Sequence, residues 1–248
     1  MKKLLALTAV QAKLFIREPA AFFFTLVFPV LLIVMFGLVF GNEPGGMFPG
    51  PFGYIDYSTP AMTVLIIVSI GLMSLPIQTA TARENRILRR FRATPLHPAT
   101  YVGATVIVYF LMAFVGMVMT ILVAEFFFGL RFGGNWWNVA AGFTFVSAAF
   151  FSAGYLIASV ASTARVAQVV GQMLFFPMMF LSGAAIPLQI MPEGVRRVAE
   201  LLPMTHGVKL MQNLWFGQGW SGSLTHVLVM LALLVAGLVL STRLFRWE

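Results

Sequence analysis

Long uncharged stretches alternate along this chain with short clusters of charge. Six of the stretches, 19–42, 57–82, 101–124, 132–164, 166–192 and 210–242, exceed the roughly 20 residues that cross a bilayer core. Trimmed at turn and polar residues, they predict helices near 21–41, 60–81, 103–125, 138–162, 166–187 and 224–243. In the last stretch Gln212, Asn213 and the glycine-rich run from Gly217 to Gly222 read as loop, so its helix starts late. The pattern predicts an all-α polytopic membrane protein, with residues 1–248 forming a single transmembrane domain.

Composition agrees. Only 10% of the residues are charged and 60% are hydrophobic, with a mean hydropathy of +0.92. A soluble domain averages about 25% charged residues, which it needs to keep its surface wet. The absence of cysteine removes disulfides, thiolate metal sites and Cys nucleophiles. A net charge of +8 would suit nucleic acid if it formed a basic soluble face. Here the cations sit between apolar runs, so no nucleic-acid partner is expected.

Cation placement orients the six spans. One side collects Lys2, Lys3, Lys13, Arg17, Arg83, Arg86, Arg89, Arg90, Arg92, Arg165, Arg243 and Arg246. The other side has Arg131, Arg196, Arg197 and Lys209. By the positive-inside rule both termini are cytoplasmic. The 42–57 loop, with Glu43 and Asp56 and no cation, faces outward.

Three segments between or before the spans carry pattern of their own. Residues 1–18 have the charged start of a secretory signal, but their apolar core, Leu4–Val10, is short and Lys13, Arg17 and Glu18 follow. Lys2, Lys3, Lys13 and Arg17 share one helical sector, with Leu4, Leu5, Phe15 and Ile16 away from it. That predicts an amphipathic helix on the cytoplasmic interface. In the 83–98 loop, Ile87, Leu88 and Phe91 fall on one helical side among Arg86, Arg89 and Arg90, and Pro95 and Pro98 stop the helix. It reads either as a solvated basic loop or as a short helix offered to a cytoplasmic partner. Residues 188–222 interleave Val195, Val198, Leu201 and Leu202 with Arg196, Arg197 and Glu200. Pro177, Ser182, Gly183 and Pro187 break span five before them, which predicts a re-entrant hairpin at the outer interface.

Several strings look chemical and are read as structural. Gly219-Trp-Ser-Gly222 with His226 resembles the motif of intramembrane serine proteases, yet Ser221 and His226 lie five residues apart at one helix mouth. His97, His206 and His226 are scattered, without metal-ligand spacing. No G-x-x-x-x-G-K-[ST] string occurs, so ATP binding in the P-loop manner is not expected. Glu125 is the one acid within a predicted span. A proton site is one reading; snorkelling to the headgroups or pairing there with Arg131 is the other.

The loop between spans two and three and the segment after span five resemble the membrane subunits of ABC exporters of the type-2 permease family, which includes antibiotic-export and polysaccharide-export permeases. The resemblance rests on Arg83-Glu84, on Ala93-Thr-Pro-Leu96, on Leu181-Ser-Gly183, on Pro187 and Pro192, and on Leu202-Pro-Met-Thr205. It departs at Asn85-Arg86-Ile87, where the family has a Gly-Thr-Leu type of sequence. The resemblance implies a permease dimer, homomeric or of two close relatives, in a bacterial plasma membrane, working with two cytoplasmic ABC ATPase subunits and needing no cofactor. It implies that Arg83, Glu84, Arg86, Thr94 and Pro95 couple the chain to those ATPases. Phe176, Met179 and Phe180 would line a path along the dimer axis for an amphiphilic drug, lipid or glycan. The competing readings are an ion-coupled secondary transporter using Glu125 and an intramembrane enzyme.

Overall fold

A computed structural model describes residues 2–17, 19–45, 51–86 and 98–244. Among them all regular structure is helical. Six helices are long and apolar enough to span a membrane: Phe23–Phe40, Tyr54–Glu84, Thr100–Phe128, Trp136–Val160, Ala164–Leu181 and Ser221–Leu244, here spans one to six. The end of the bundle where span two begins is called the outer face, following the charge-based orientation; the end where it stops is the inner face.

The interiors of the expected helices are found, and their ends shift. Span two starts six residues before the expected 60, because Asp56 closes its first turn by accepting the Gly53 N–H at 2.8 Å. An acid in the first turn also suits the positive end of the helix dipole. Asp56 therefore belongs to a helix, not to the outward loop. Span five stops at Leu181 rather than 187, where Ser182 begins a non-helical stretch leading to Pro187. The 188–222 region contains two α-helices, Glu193–Ala199 and Pro203–Trp215, flanked by single 3-10 turns.

Span two is the axis of the bundle. Of its most apolar window 94% is buried, against 56% or less in every other span. Spans one, three, four and five surround it, and span six packs along span four. The apolar faces of the outer spans, such as Leu38, Phe126 and Leu238, are left exposed, as a lipid solvent requires.

Midway along, residues Ile70–Ser74 widen into a π-turn, in which the Leu75 N–H reaches back to Ile70 O. Pro76 follows, and it has no N–H to offer the carbonyls one turn earlier. Those carbonyls face neighbouring backbones: a side chain at Gly154 of span four would collide with Gly71 O, and one at Gly171 of span five with Leu72 O. Glycine is needed at both places to let carbonyl meet Cα hydrogens, a weak but recurrent contact between helices.

The N-terminal helix, Lys2–Ile16, docks on the bundle. Lys13 and Arg17 are exposed, while Phe15 is buried edge-on against Tyr109 of span three, ring centroids 5.7 Å apart. Gln11 is buried too. It donates to Thr105 Oγ1 at 3.4 Å and accepts from Gln78 Nε2 at 2.5 Å, which ties the helix to spans two and three.

Candidate functional site

Among the described residues the charged side chains gather at the two ends of the bundle, while buried hydroxyls such as Thr63, Ser69 and Ser152 lie along its length. At the inner end, span two finishes on Arg83 and Glu84, beside the tight turn joining spans four and five. The Arg83 guanidinium donates to Ala158 O at 3.2 Å and to Ala161 O. The Glu84 carboxylate accepts the Ala164 N–H at 3.1 Å. The signs are complementary: a cation sits on the last carbonyls of span four and an anion on the first N–H groups of span five. Helix dipoles favour that pairing at each terminus. Thr163 adds its own hydroxyl to the Val166 N–H at 3.2 Å. Arg86 is exposed, with φ 55°, and its left-handed backbone turns the chain out of span two. Thr94, Pro95 and the 87–97 stretch of the expected coupling helix lie outside the described residues.

Of the three path residues, the structure sets two together and turns one inward. Phe176 and Phe180, one helical turn apart on span five, are 37% and 49% exposed; Met179 is 4% exposed and belongs to the core. Pro177 lies inside this helix, and the adjacent Phe175 packs edge-on against Phe24 of span one at 6.4 Å.

At the outer end, fully buried Asp56 organises a knot of four segments. Its carboxylate accepts from Gly53 N, from Asn42 Nδ2 at 3.0 Å and from the Arg131 N–H at 2.7 Å, and the Arg131 guanidinium lies 3.8 Å away. Asn42 accepts the Ile55 N–H at 3.1 Å and donates to Phe128 O at 3.2 Å. Trp215 donates to Arg131 O at 3.2 Å, bringing in helix Pro203–Trp215. Of the readings open for Glu125, pairing with Arg131 is not found: Arg131 turns to Asp56, since a buried carboxylate must be paired, and Glu125 is exposed. The signal available was the Gly53-x-x-Asp56 spacing, half of a capping box.

The outer hairpin is held by its own polar contacts. Thr205 donates its hydroxyl to Ala199 O at 2.5 Å, joining the two hairpin helices. Lys209 lies 3.1 Å from Glu200, and its hydrogen bond and charge hold the Glu200 carboxyl below the usual carboxylate range. His206 and His226, read as scattered, meet: their Nδ1 atoms are 2.9 Å apart, and His206 Nε2 lies 2.9 Å from Glu200 O. A carbonyl can only accept, so His206 carries its proton on Nε2 and accepts at Nδ1, with His226 donating. Among the described residues no group of three or more His, Asp or Glu side chains could hold a metal.

Six helices long and apolar enough to cross a bilayer, with the charged side chains of the described residues at the two ends, define a multi-pass membrane protein. The chain belongs to the ABC-2 type transporter family, whose profile matches residues 2–216. That membership makes it the membrane component of an ABC transporter. It is 24% identical over 227 residues to the daunorubicin resistance ABC transporter permease protein DrrB1 of Streptomyces coeruleorubidus, covering 88% of this chain and 77% of that protein. It is 29% identical over 98 residues to Nodulation protein J of Rhizobium leguminosarum bv. viciae, covering 40% of this chain and 38% of that protein. The second match thus spans well under two thirds of its relative.

Proposed function

We propose that the chain is the membrane-embedded subunit of an ATP-driven exporter in a bacterial plasma membrane. It works as a dimer with two cytoplasmic ATPase subunits docked at the inner face, where both termini lie. The observation that carries this reading is the family match along nearly the whole chain, joined to an alignment of similar extent with a drug-resistance permease. An amphiphilic drug, lipid or glycan is the substrate class, supported by the apolar span-five stripe of Phe176 and Phe180.

In this mechanism the 83–98 loop receives the stroke of the ATPase, with Arg86, Thr94 and Pro95 toward the partner. Arg83 and Glu84 act from the permease side of the same joint. Their bonds to the turn between spans four and five pass movement of the loop to both spans at once. The N-terminal helix lies at the inner interface against lipid, and the 188–222 hairpin re-enters the outer interface over the path. Met179, behind the two phenylalanines, sets their position and offers an adaptable neighbour as the path opens.

Inside-out vesicles carrying the chain with a P-loop ATPase of the same genome test the reading. Daunorubicin accumulation that requires ATP and both subunits is the expected result. Uptake driven by a proton gradient in vesicles holding the chain alone would overturn it.

A further inference from the structure

Between the start of span two, the turn after span five and the two hairpin helices lies a cavity of about 350 Å³ on the outer face. Pro187, Leu188, Val208 and the Tyr57 ring supply apolar wall, and Ser58, Gln189 and Gln212 supply polar wall.

Three charged groups reach this cavity, and they do not cancel. Lys209 and Glu200 neutralise one another across 3.1 Å. Arg196, four residues before Glu200 on the same helix, also lines the cavity, and its guanidinium has no hydrogen-bond or ion-pair partner among the described residues. The neighbouring Arg197 differs on both counts: it is paired with Glu193 at 2.7 Å and is not part of the wall. Arg196 also shares the field of Glu200, so the three groups carry a net single positive charge, with the Arg196 guanidinium exposed and its N–H donors unbonded among the described residues. A guanidinium presents a planar fork of N–H donors that matches two oxygens of a phosphate.

We propose that this cavity binds a phosphate-bearing head group, with Arg196 as the anion ligand and the Pro187–Leu188 side holding the apolar neck. The Glu200–Lys209 pair sets the affinity, since Glu200 occupies the second cation that would otherwise join Arg196. The proposal rests on the outward orientation of this face in the exporter reading. Its test needs neither nucleotide nor ATPase, so failure of the site and failure of that reading are distinguishable.

The test is native mass spectrometry of the full chain in detergent, titrated with phosphatidylglycerol, the phosphate-free lipid diacylglycerol, glycerol phosphate or inorganic phosphate. Phosphatidylglycerol, or one of the soluble phosphates, should form a saturable one-to-one adduct; competition by inorganic phosphate identifies a soluble source and its absence a lipid one. Arg196→Gln should weaken the adduct about tenfold or more, the scale of a hydrogen bond to a charged group. Glu200→Gln should strengthen it by freeing Lys209, and Arg197→Gln should leave it unchanged. Equal losses in the two arginine variants would reduce the effect to general surface charge and overturn the site. So would diacylglycerol adducts equal to those of phosphatidylglycerol together with no binding of the soluble phosphates. The opposite sign expected of Glu200→Gln guards against misreading an unfolded variant as a lost site.

Discussion

The carboxylate of Glu84, at the last turn of span two, accepts the backbone N–H of Ala164, the first helical residue of span five. Eighty residues of chain separate the two. The contact makes the inner end of span two the N-terminal cap of another span, so tilting one carries the other. Glu84→Ala should lower stability by about 1 kcal/mol, the usual cost of losing a cap side chain. It should also uncouple the complex while the ATPase still co-purifies. Substrate-stimulated ATP hydrolysis measures the loss, and wild-type stimulation in the variant would return Glu84 to a plain anchor.

Asp56 predicts a larger effect. Removing its carboxylate leaves the Gly53 N–H, the Asn42 amide and the Arg131 N–H without their acceptor, at about 1–3 kcal/mol for each donor that stays buried. Asp56→Ala should therefore sharply reduce the amount of folded chain in the membrane and lower its unfolding temperature in detergent. Asp56→Asn keeps two polar atoms and should fall in between. A melting temperature unchanged in Asp56→Ala would show that the outer knot carries no stability.

Gly154 and Gly194 form a matched pair of sites. An added methyl at Gly154 strikes the Gly71 carbonyl, whereas one at Gly194 meets nothing within 4 Å. Gly154→Ala should destabilise by about 1–3 kcal/mol, as overpacking does. Gly194→Ala should stay within about 0.5 kcal/mol, as surface changes do. Thermal unfolding of the two variants side by side decides it.

The His206–His226 contact predicts sensitivity to acid. With at most one proton shared, one Nδ1 accepts and the other donates; with both rings charged, both can only donate. Hydrogen exchange corrected for intrinsic rate should show the Pro203–Trp215 helix losing protection on acidification. The double variant His206→Phe, His226→Phe should remove that pH difference. An identical pH response in the double variant would assign it to other groups.

The spans were readable because lipid tolerates so few charges: an uncharged run longer than about 20 residues suits a bilayer and little else. Their ends were less so. Tyr54–Tyr57 read as loop because the groups that close the turn around Asp56 include Asn42 and Arg131, and no local pattern joins them. Arg83 and Glu84 were recognisable as special, yet the groups they touch are backbone carbonyls and an N–H, which every residue carries and no sequence motif announces. The histidine pair was illegible for a similar reason. His206 and His226 lie on different helices, and only the fold of the hairpin onto span six brings the rings together.

Span two is held in two different ways along its length. Around its π-turn Ile70, Leu72 and Met73 pack into the apolar core, while at Gly154 and Gly171 the neighbouring spans meet the turn as carbonyl against methylene. Each such contact is worth only about 0.5–1 kcal/mol, close to thermal energy. The ends of the same helix are fixed by hydrogen bonds, through Asp56 outside and through Arg83 and Glu84 inside. Span two is thus a beam pinned by polar bonds at both supports and held at mid-length by apolar packing and bare backbone contact.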